Sequence, residues 1–214
     1  MNARYRDKNG DVATQISNDG KILSVVVRDV EFCGSDFDSL EPIDGTDATR
    51  LSSFTLQHGC LCSCTIDADM PLGVVVDEDT NNGLLSIHLE LGEPQSNGRL
   101  GREIVRLELK LGKTVYCSRG NSGWFEDELL DIQRQLPKGT YLKSCVSCAF
   151  SDSSPYGHGL FGGLACFREN KAEYLSVKNK RDLFRVWDTM TEFVQETYLC
   201  REFQRRVPGT GYRG

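Results

Sequence analysis

Cysteines are the residues of this chain whose type and spacing point most clearly to chemistry. The sequence contains 9 cysteines, and Cys145-Val-Ser-Cys148 is a Cys-x-x-Cys motif. A tight turn can bring two such thiolates to one cation, and tetrahedral Zn²⁺ then needs two more ligands. Cys166 follows after 17 intervening residues, and Cys200 lies further along the chain. We therefore predict a zinc ion bound by Cys145, Cys148, Cys166 and Cys200, with His158 as the competing fourth ligand.

Four protein ligands leave no open coordination position, so the predicted zinc site is structural rather than catalytic. The metal would join segments that are distant in the sequence. Two other interpretations remain open, namely buried free thiols and a redox-active dithiol. The motif does not open a helix in the βαβ context that lowers the pKa of thioredoxin-like thiols, which argues against the dithiol.

The expected compartment favours metal ligands or buried thiols over disulfides. The first residues, Met1 to Lys8, have no apolar core of the kind that a secretory signal needs. No apolar run approaches the roughly 20 residues of a transmembrane helix. We therefore expect a cytoplasmic protein, in which closely spaced cysteines are usually reduced.

A second cysteine cluster, Cys60-Leu-Cys-Ser-Cys64, follows His58 and suggests a further metal site or a Cys–His nucleophile. Apolar residues and cysteines occupy the even positions from Phe54 to Ile66, apart from His58. In a single strand, this alternation would place all of these side chains on one face. We therefore interpret Cys60, Cys62 and Cys64 as thiols packed in the core, beside Phe54 and Leu56.

The segment Gly157-His158-Gly159-Leu-Phe-Gly162 matches the G-x-G-x-x-G pattern of dinucleotide-binding proteins. That function requires a preceding strand and a following helix whose N-terminus binds the pyrophosphate. Here Ala165-Cys166-Phe167 indicates a strand instead of a helix. We interpret the glycine-rich segment as a loop that spans the metal site, with a loop that contacts a small ligand or partner as the alternative.

Charge is distributed unevenly along the chain. Residues 1–100 contain 7 Lys and Arg against 17 Asp and Glu, whereas residues 101–214 contain 18 against 14. The acidic half repels phosphate backbones, which argues against general nucleic-acid binding. It is compatible with a solvated face or with a docking face for a basic partner. The arginines near the C-terminus either complement a helix end or contact an anion or a partner.

Secondary-structure elements must position these residues. The first region of the chain, residues 1–118, is predicted to be β-structure. Two β-prone runs flank Asn18-Asp19-Gly20, which favours a hairpin, and Asn81-Asn82-Gly83 predicts another turn. Leu107, Leu109 and Leu111 alternate with charged residues, as in a half-exposed strand. Short strands joined by hairpin-length turns indicate an antiparallel sandwich or a strongly bent sheet.

Two principal helices are expected in the C-terminal half. The first covers about residues 123–136, where apolar residues recur at helical spacing and Ser122 can cap the N-terminus. A short strand is predicted near residues 172–177. The second helix is predicted over about residues 180–203, with its apolar residues on one face.

These predictions give an α+β fold class. An antiparallel, β-sandwich-like body occupies residues 1–118. Residues 119–214 carry the first helix, a zinc-knuckle-like segment, the long helix and a tail. We expect the two regions to form one continuous structural domain.

The C-terminal motifs resemble a known family. Cys145-x-x-Cys-x-Phe-Ser-Asp-x-Ser-Pro155, Phe161-Gly-Gly-Leu-Ala-Cys-Phe-Arg168, Val194-Gln-Glu-Thr-x-Leu-Cys200 and Thr210-Gly-Tyr-Arg-Gly214 are similar to those of an uncharacterised bacterial family, a domain of unknown function. The resemblance implies a bacterial, intracellular protein and supplies no activity.

Two classes of function remain compatible with the sequence. The first is a non-enzymatic binding protein, such as an immunity-type protein or an adaptor, on a zinc-stabilised scaffold. Its partner would be a protein, and the acidic N-terminal half would suit a basic one. The alternative is an enzyme with a pocket near Asp152, His158 and the C-terminal arginines. A pocket in which these residues converge would favour the enzyme.

Overall fold

A computed structural model of the protein describes residues 1–98, 100–156 and 159–213. The strands are β1 (Asn2–Asp7), β2 (Gly10–Asn18), β3 (Leu23–Val27), β4 (Val30–Gly34), β5 (Glu41–Pro42), β6 (Thr55–Gln57), β7 (Cys60–Cys62), β8 (Cys64–Val76), β9 (Asp79–Leu91), β10 (Ile104–Leu111), β11 (Thr114–Cys117), β12 (Tyr141–Leu142), β13 (Ser151–Ser153), β14 (Leu164–Cys166) and β15 (Glu192–Val194). The α-helices are α1 (Ala48–Leu51), α2 (Phe125–Gln135), α3 (Lys171–Ser176) and α4 (Lys180–Val186).

The strands form three antiparallel sheets. The largest has 10 strands in the order β11-β10-β9-β8-β1-β2-β3-β4-β5, and β12 pairs with β8 beside this path. A second sheet has the order β13-β14-β15, and β6 and β7 form a separate hairpin. The α+β class with antiparallel sheets is therefore confirmed. Across the described ranges, no helix is long and apolar enough to cross a membrane.

Alternation along the strands decides which face of the large sheet is buried. In β9 the residues Leu85, Ile87 and Leu89 are buried, while Ser86 and His88 on the other face are partly exposed. Alternate side chains of a strand point to opposite faces, so one face packs and the other meets solvent.

One apolar cluster joins distant strands of the large sheet to a helix. It includes Val25 of β3, Phe32 of β4, Leu107 of β10 and Phe125 of α2. Phe125 begins α2, and the helix ends at Gln135, which confirms the first predicted helix. Its N-cap is Trp124, so the capping residue predicted at Ser122 is wrong by two positions.

The prediction of one strand from Phe54 to Ile66 is wrong. The chain instead forms the hairpin β6–β7 and then enters β8. Both breaks have positive φ, at His58 (52°) and at Ser63 (51°), which interrupts the extended backbone. Cys62 and Cys64 are buried as expected, whereas Cys60 is only partly buried because it lies at the start of the short strand β7.

The predicted turn at residues 81–83 lies within β9 instead. The turn between β8 and β9 is formed by Asp77 and Glu78, which both have positive φ. Gly83 has a packing role, because a Cβ atom there would lie 2.7 Å from Leu109 Cδ1. A glycine within a strand often marks such a close approach rather than a turn.

The C-terminal predictions are also wrong in two places. Residues 171–176 form helix α3 instead of a strand, with local backbone bonds such as Tyr174 N–H to the Asn170 carbonyl at 3.1 Å, and Tyr174 stacks on Phe167 with ring centroids 4.6 Å apart. The long helix over 180–203 is replaced by α4, a 3₁₀ turn at Trp187–Thr189 and strand β15. Residues 192–194 pair with β14, so hydrogen bonds to a distant strand take the place of helical ones.

Candidate functional site

The Cys-x-x-Cys motif forms a compact turn that is attached to the C-terminal segment. A 3₁₀ turn spans Cys145–Ser147, and the Cys148 amide donates to the Cys145 carbonyl at 3.1 Å. The Cys145 amide donates to the carbonyl of Tyr198 at 2.7 Å. Cys148 also forms an isolated β-bridge with Arg205. These bonds place the motif against residues on both sides of Cys200.

Cys166 reaches the same region from the small sheet. It ends β14, where it lies opposite Ser151 of β13 and Glu192 of β15. The Ser151 hydroxyl donates to the Cys145 carbonyl at 2.5 Å, which connects β13 directly to the Cys-x-x-Cys turn. Cys145, Cys148 and Cys166 are all buried, at 3%, 3% and 4% exposure.

Cys145 packs in one buried cluster with Cys166 and lies within electrostatic range of Cys148 and Cys200. Burial raises the pKa of the Cys145 thiol, and the charges of Cys148, Cys200 and Cys166 raise it further. The Cys166 sulfur accepts a hydrogen bond from Arg168 Nη1 at 3.8 Å. Burial raises the pKa of Cys166, while the Arg168 guanidinium acts to lower it.

In the conformation described, the sulfurs are not arranged around a common centre. Among residues 1–98, 100–156 and 159–213, no group of three or more His, Cys, Asp or Glu side chains is arranged to hold a metal ion. The fold thus brings Cys145, Cys148, Cys166 and Cys200 into one region, and zinc binding by them stays a prediction. The reserve ligand His158 lies outside the described residues.

The second cysteine cluster has contacts typical of structural thiols. Cys60 donates to Glu41 Oε1 at 3.5 Å, and burial together with Glu41 raises the pKa of Cys60 to about 11. Cys62 donates to the carbonyl of Thr55 at 3.4 Å. The His58 ring contacts the carbonyl of Gly98 at 3.1 Å. A thiol with a raised pKa is a poor nucleophile at neutral pH.

Asp152 lies in a buried polar network. Its side chain is fully buried, and the Tyr174 hydroxyl donates to Asp152 Oδ2 at 2.7 Å. Arg206 Nη1 contacts that hydroxyl at 3.3 Å, and Arg206 Nη2 donates to the carbonyls of Cys148 and Ser151. Tyr174 therefore links Asp152 to Arg206 of the tail, and the Asp152 carboxylate does not reach solvent in this conformation.

The C-terminal tail is anchored by a buried ion pair. Arg213 Nη1 contacts Glu126 Oε1, and the two side chains are only 12% and 7% exposed. The Ser153 hydroxyl contacts both Glu126 oxygens at 2.8 and 2.9 Å, while Arg213 Nη2 donates to the Val146 carbonyl at 2.9 Å. The tail is thereby fixed to α2 and to the Cys-x-x-Cys turn.

Two of the cavities with charged lining residues bear on function. One, of about 330 Å³, lies between α2 and the tail and is lined by Leu130, Gln133, Tyr141, Val146, Ser147, Arg205, Arg206, Pro208 and Arg213. This cavity lies beside the C-terminal arginines, but Asp152 does not line it and His158 lies outside the described residues, so the predicted pocket that combines all of these residues stays a prediction. The other is a groove of about 600 Å³ on the exposed face of the large sheet.

Sheet register decides which side chains meet in the groove. Asp67 lies opposite His88 in the β8–β9 pair, and their side chains are 2.7 Å apart. Asp69 lies opposite Ser86, whose hydroxyl donates to it at 2.6 Å. Glu108 of β10 lines the same groove. The alternating pattern of these strands predicts exposed positions, but only the register brings carboxylates of different strands together.

Glu196 is a buried carboxylate to which the sequence patterns assigned no role. It is 2% exposed and accepts hydrogen bonds from the amides of Gly162 (2.7 Å) and Gly163 (3.1 Å). Burial raises the pKa of Glu196 from 4.5 to about 7, and the charge of Glu126 contributes to the rise. The described end of the glycine-rich loop therefore binds an internal carboxylate.

This carboxylate predicts a pH-dependent contribution to stability. Because the folded-state pKa of Glu196 is raised, the contribution is fully present below pH 4.5 and is lost as the pH rises through about 7. We expect Glu196→Gln to flatten the pH dependence of the unfolding free energy in this window. Urea denaturation of both proteins from pH 4.5 to 8 measures it. Parallel curves for the two proteins would contradict the prediction.

The chain was compared with known proteins. No curated protein and no solved structure matches it. The sequence profile of one family of unknown function matches residues 1–151, a range that includes Cys145 and Cys148 and stops before Cys166 and Cys200. The match covers more than half of the chain, and the chain belongs to this family, DUF6304.

Proposed function

We propose that this protein is a non-enzymatic binding protein whose C-terminal part is stabilised by a structural zinc ion. The observation that supports the scaffold is the packing of Cys145, from the Cys-x-x-Cys turn, in one buried cluster with Cys166 of β14, while Cys148 and Cys200 lie within electrostatic range of Cys145. Neutral thiols need no such neighbours. Four thiolates around Zn²⁺ would cross-link these segments and contribute directly to folding.

Contacts around the four cysteines support the proposed zinc site. The Cys148 amide already points to the Cys145 carbonyl across the turn. Arg168, whose guanidinium donates to the Cys166 sulfur, would stabilise a thiolate at that position. The influence of Cys200 on Cys145 supports Cys200 as the fourth ligand.

The groove on the exposed sheet face is the proposed binding surface. Asp67, Asp69 and Glu108 line it together with Arg4 and Arg106. Both arginines already pair with other carboxylates, Arg4 with Asp11 at 3.2 Å and Arg106 with Glu90 at 3.5 Å. The groove therefore has an excess of negative charge, which fits a basic segment of a protein partner. An immunity-type protein and an adaptor would both use such a surface.

Binding of a defined peptide tests this proposal. A fluorescent ten-residue peptide rich in Lys and Arg should bind at about 0.15 M salt, where the Debye length is about 8 Å, and a Glu-rich peptide of equal length should not. We expect the double substitution Asp69→Asn and Glu108→Gln to raise the Kd of the basic peptide by about tenfold, which equals the loss of about 1.4 kcal/mol. Fluorescence anisotropy measures the affinity.

The matched control removes two carboxylates elsewhere. Glu78→Gln with Asp79→Asn changes the net charge equally at the exposed β8–β9 turn. This control should change the Kd by less than about twofold, because exposed charges that lie farther than a Debye length from the bound peptide are largely screened. If both double variants raised the Kd equally, the peptide would be attracted by the net charge of the protein alone. That result would contradict the proposed groove.

A further inference from the structure

The cavity between α2 and the C-terminal tail combines cations with apolar walls. Its volume is about 330 Å³, at the lower end of the range for small-molecule sites. Leu130, Val146 and Pro208 provide apolar walls, and Tyr141 provides an aromatic one. The cavity shares no residue with the groove on the sheet face.

Arg213 and Arg206 contribute differently to this cavity. Arg213 is neutralised by the buried carboxylate of Glu126. The Nη atoms of Arg206 donate to main-chain carbonyls and to the Tyr174 hydroxyl, and the structure assigns it no ion pair among the described residues. Its Nε is buried and has no hydrogen-bond partner within that part of the chain. Arg206 therefore has no direct carboxylate partner among the described residues, although Asp152 lies one hydrogen bond away through Tyr174, and its Nε is an unused donor.

Arg205 supplies a second cation at the cavity wall. Its guanidinium carbon lies 4.3 Å from the centroid of the Tyr141 ring. The side chain is exposed, and no salt bridge is found for it in the described chain. A guanidinium that is stacked on an aromatic ring keeps its N–H groups available at the ring edge for a planar anion.

We propose that this cavity binds a small organic anion, with its carboxylate or phosphate group at Arg205 and Arg206 and its apolar body against Leu130, Val146 and Tyr141. Guanidinium groups bind carboxylates and phosphates through paired, charge-assisted hydrogen bonds. The apolar walls favour a compact ring or branched body over a simple inorganic ion. The site is independent of the proposed basic partner.

Matched probes test the proposal on the full-length protein. Benzoate and phenyl phosphate present the same ring with a carboxylate or a phosphate, benzyl alcohol is a neutral analogue, and inorganic phosphate lacks the ring. We expect at least one ring-bearing anion to bind at least about tenfold more tightly than both benzyl alcohol and inorganic phosphate. Isothermal titration calorimetry measures the affinities, and the tighter of the two anions identifies the headgroup class.

Substitutions locate the site. Arg205→Gln should weaken binding of the preferred anion by about tenfold, whereas Arg181→Gln removes an equal charge from the exposed side of α4 and should leave it unchanged. Leu130→Glu places a repelling carboxylate in the wall and should abolish binding. Circular dichroism confirms that each variant is folded. Equal affinity for benzoate, phenyl phosphate and benzyl alcohol, or equal losses in Arg205→Gln and Arg181→Gln, would overturn the proposal.

Discussion

Replacing Cys145 by serine is expected to abolish stoichiometric zinc and to lower the melting temperature by about 10 °C. A ligand that binds only the native state at about 1,000 times its Kd stabilises that state by about 4 kcal/mol. For a domain of about 200 residues, each kcal/mol corresponds to about 2–4 °C. Cys145 is central, because Cys148, Cys166 and Cys200 all act on its thiol.

Metal analysis by mass spectrometry and differential scanning calorimetry measure both effects. Cys117→Ser is the matched control, because Cys117 is an exposed cysteine on strand β11 and should affect neither quantity. Cys200→Ser should also lose zinc if Cys200 is the fourth ligand, while His158→Ala should then retain it. Native protein that contains no zinc and is insensitive to a chelator would refute the metal site.

Replacing Arg213 by alanine is expected to lower the unfolding free energy by about 3 kcal/mol. Removal of one partner from a buried ion pair typically costs about 3–5 kcal/mol, because the other charge is left in a poorly solvated place. Glu126 is only 7% exposed at the side chain, so water compensates little for the lost guanidinium. Urea denaturation at pH 7 measures the loss.

The double variant Glu126→Gln and Arg213→Met gives the sharper test. It removes both charges, so it should be more stable than Arg213→Ala alone. Arg181→Ala is the control, since Arg181 is exposed on α4, and surface changes of this kind are usually within about 0.5 kcal/mol. A loss in Arg213→Ala no larger than in Arg181→Ala would show that the pair contributes nothing to stability.

Local patterns in the sequence were sufficient to predict those strands and helices whose buried face is set by residues only a few positions apart. Alternation identifies the strand that carries Leu107 and Leu109, because a pleated strand with one buried face repeats every second residue. The spacing of Phe125, Leu129 and Ile132 likewise identifies α2, since these residues cover one side of a helix. The spacing of Cys145 and Cys148 indicates a tight turn, which the structure contains.

Local patterns gave wrong predictions where a contact with a residue distant in the sequence overrides the local preference for a helix or a turn. Residues 192–194 have an apolar pattern that fits a helix, yet they form β15 because β14 offers hydrogen bonds at the correct distance. Asn82-Gly83 resembles a turn, but Gly83 is needed where Leu109 of the neighbouring strand approaches. Both outcomes depend on partners that the local sequence does not contain.

The sequence by itself determined the fold class and the positions of many strands, and its prediction of four cysteines that share a metal stays a prediction. Only the tertiary structure decided which charged residues meet. Glu126 and Arg213 are 87 positions apart, and Glu196 contacts amides that precede it by 33 and 34 positions. A buried charge is stabilised by the partner that the folded chain brings within a few ångströms. Because such a partner can be distant in the sequence, the short-range periodicity of the sequence does not predict it.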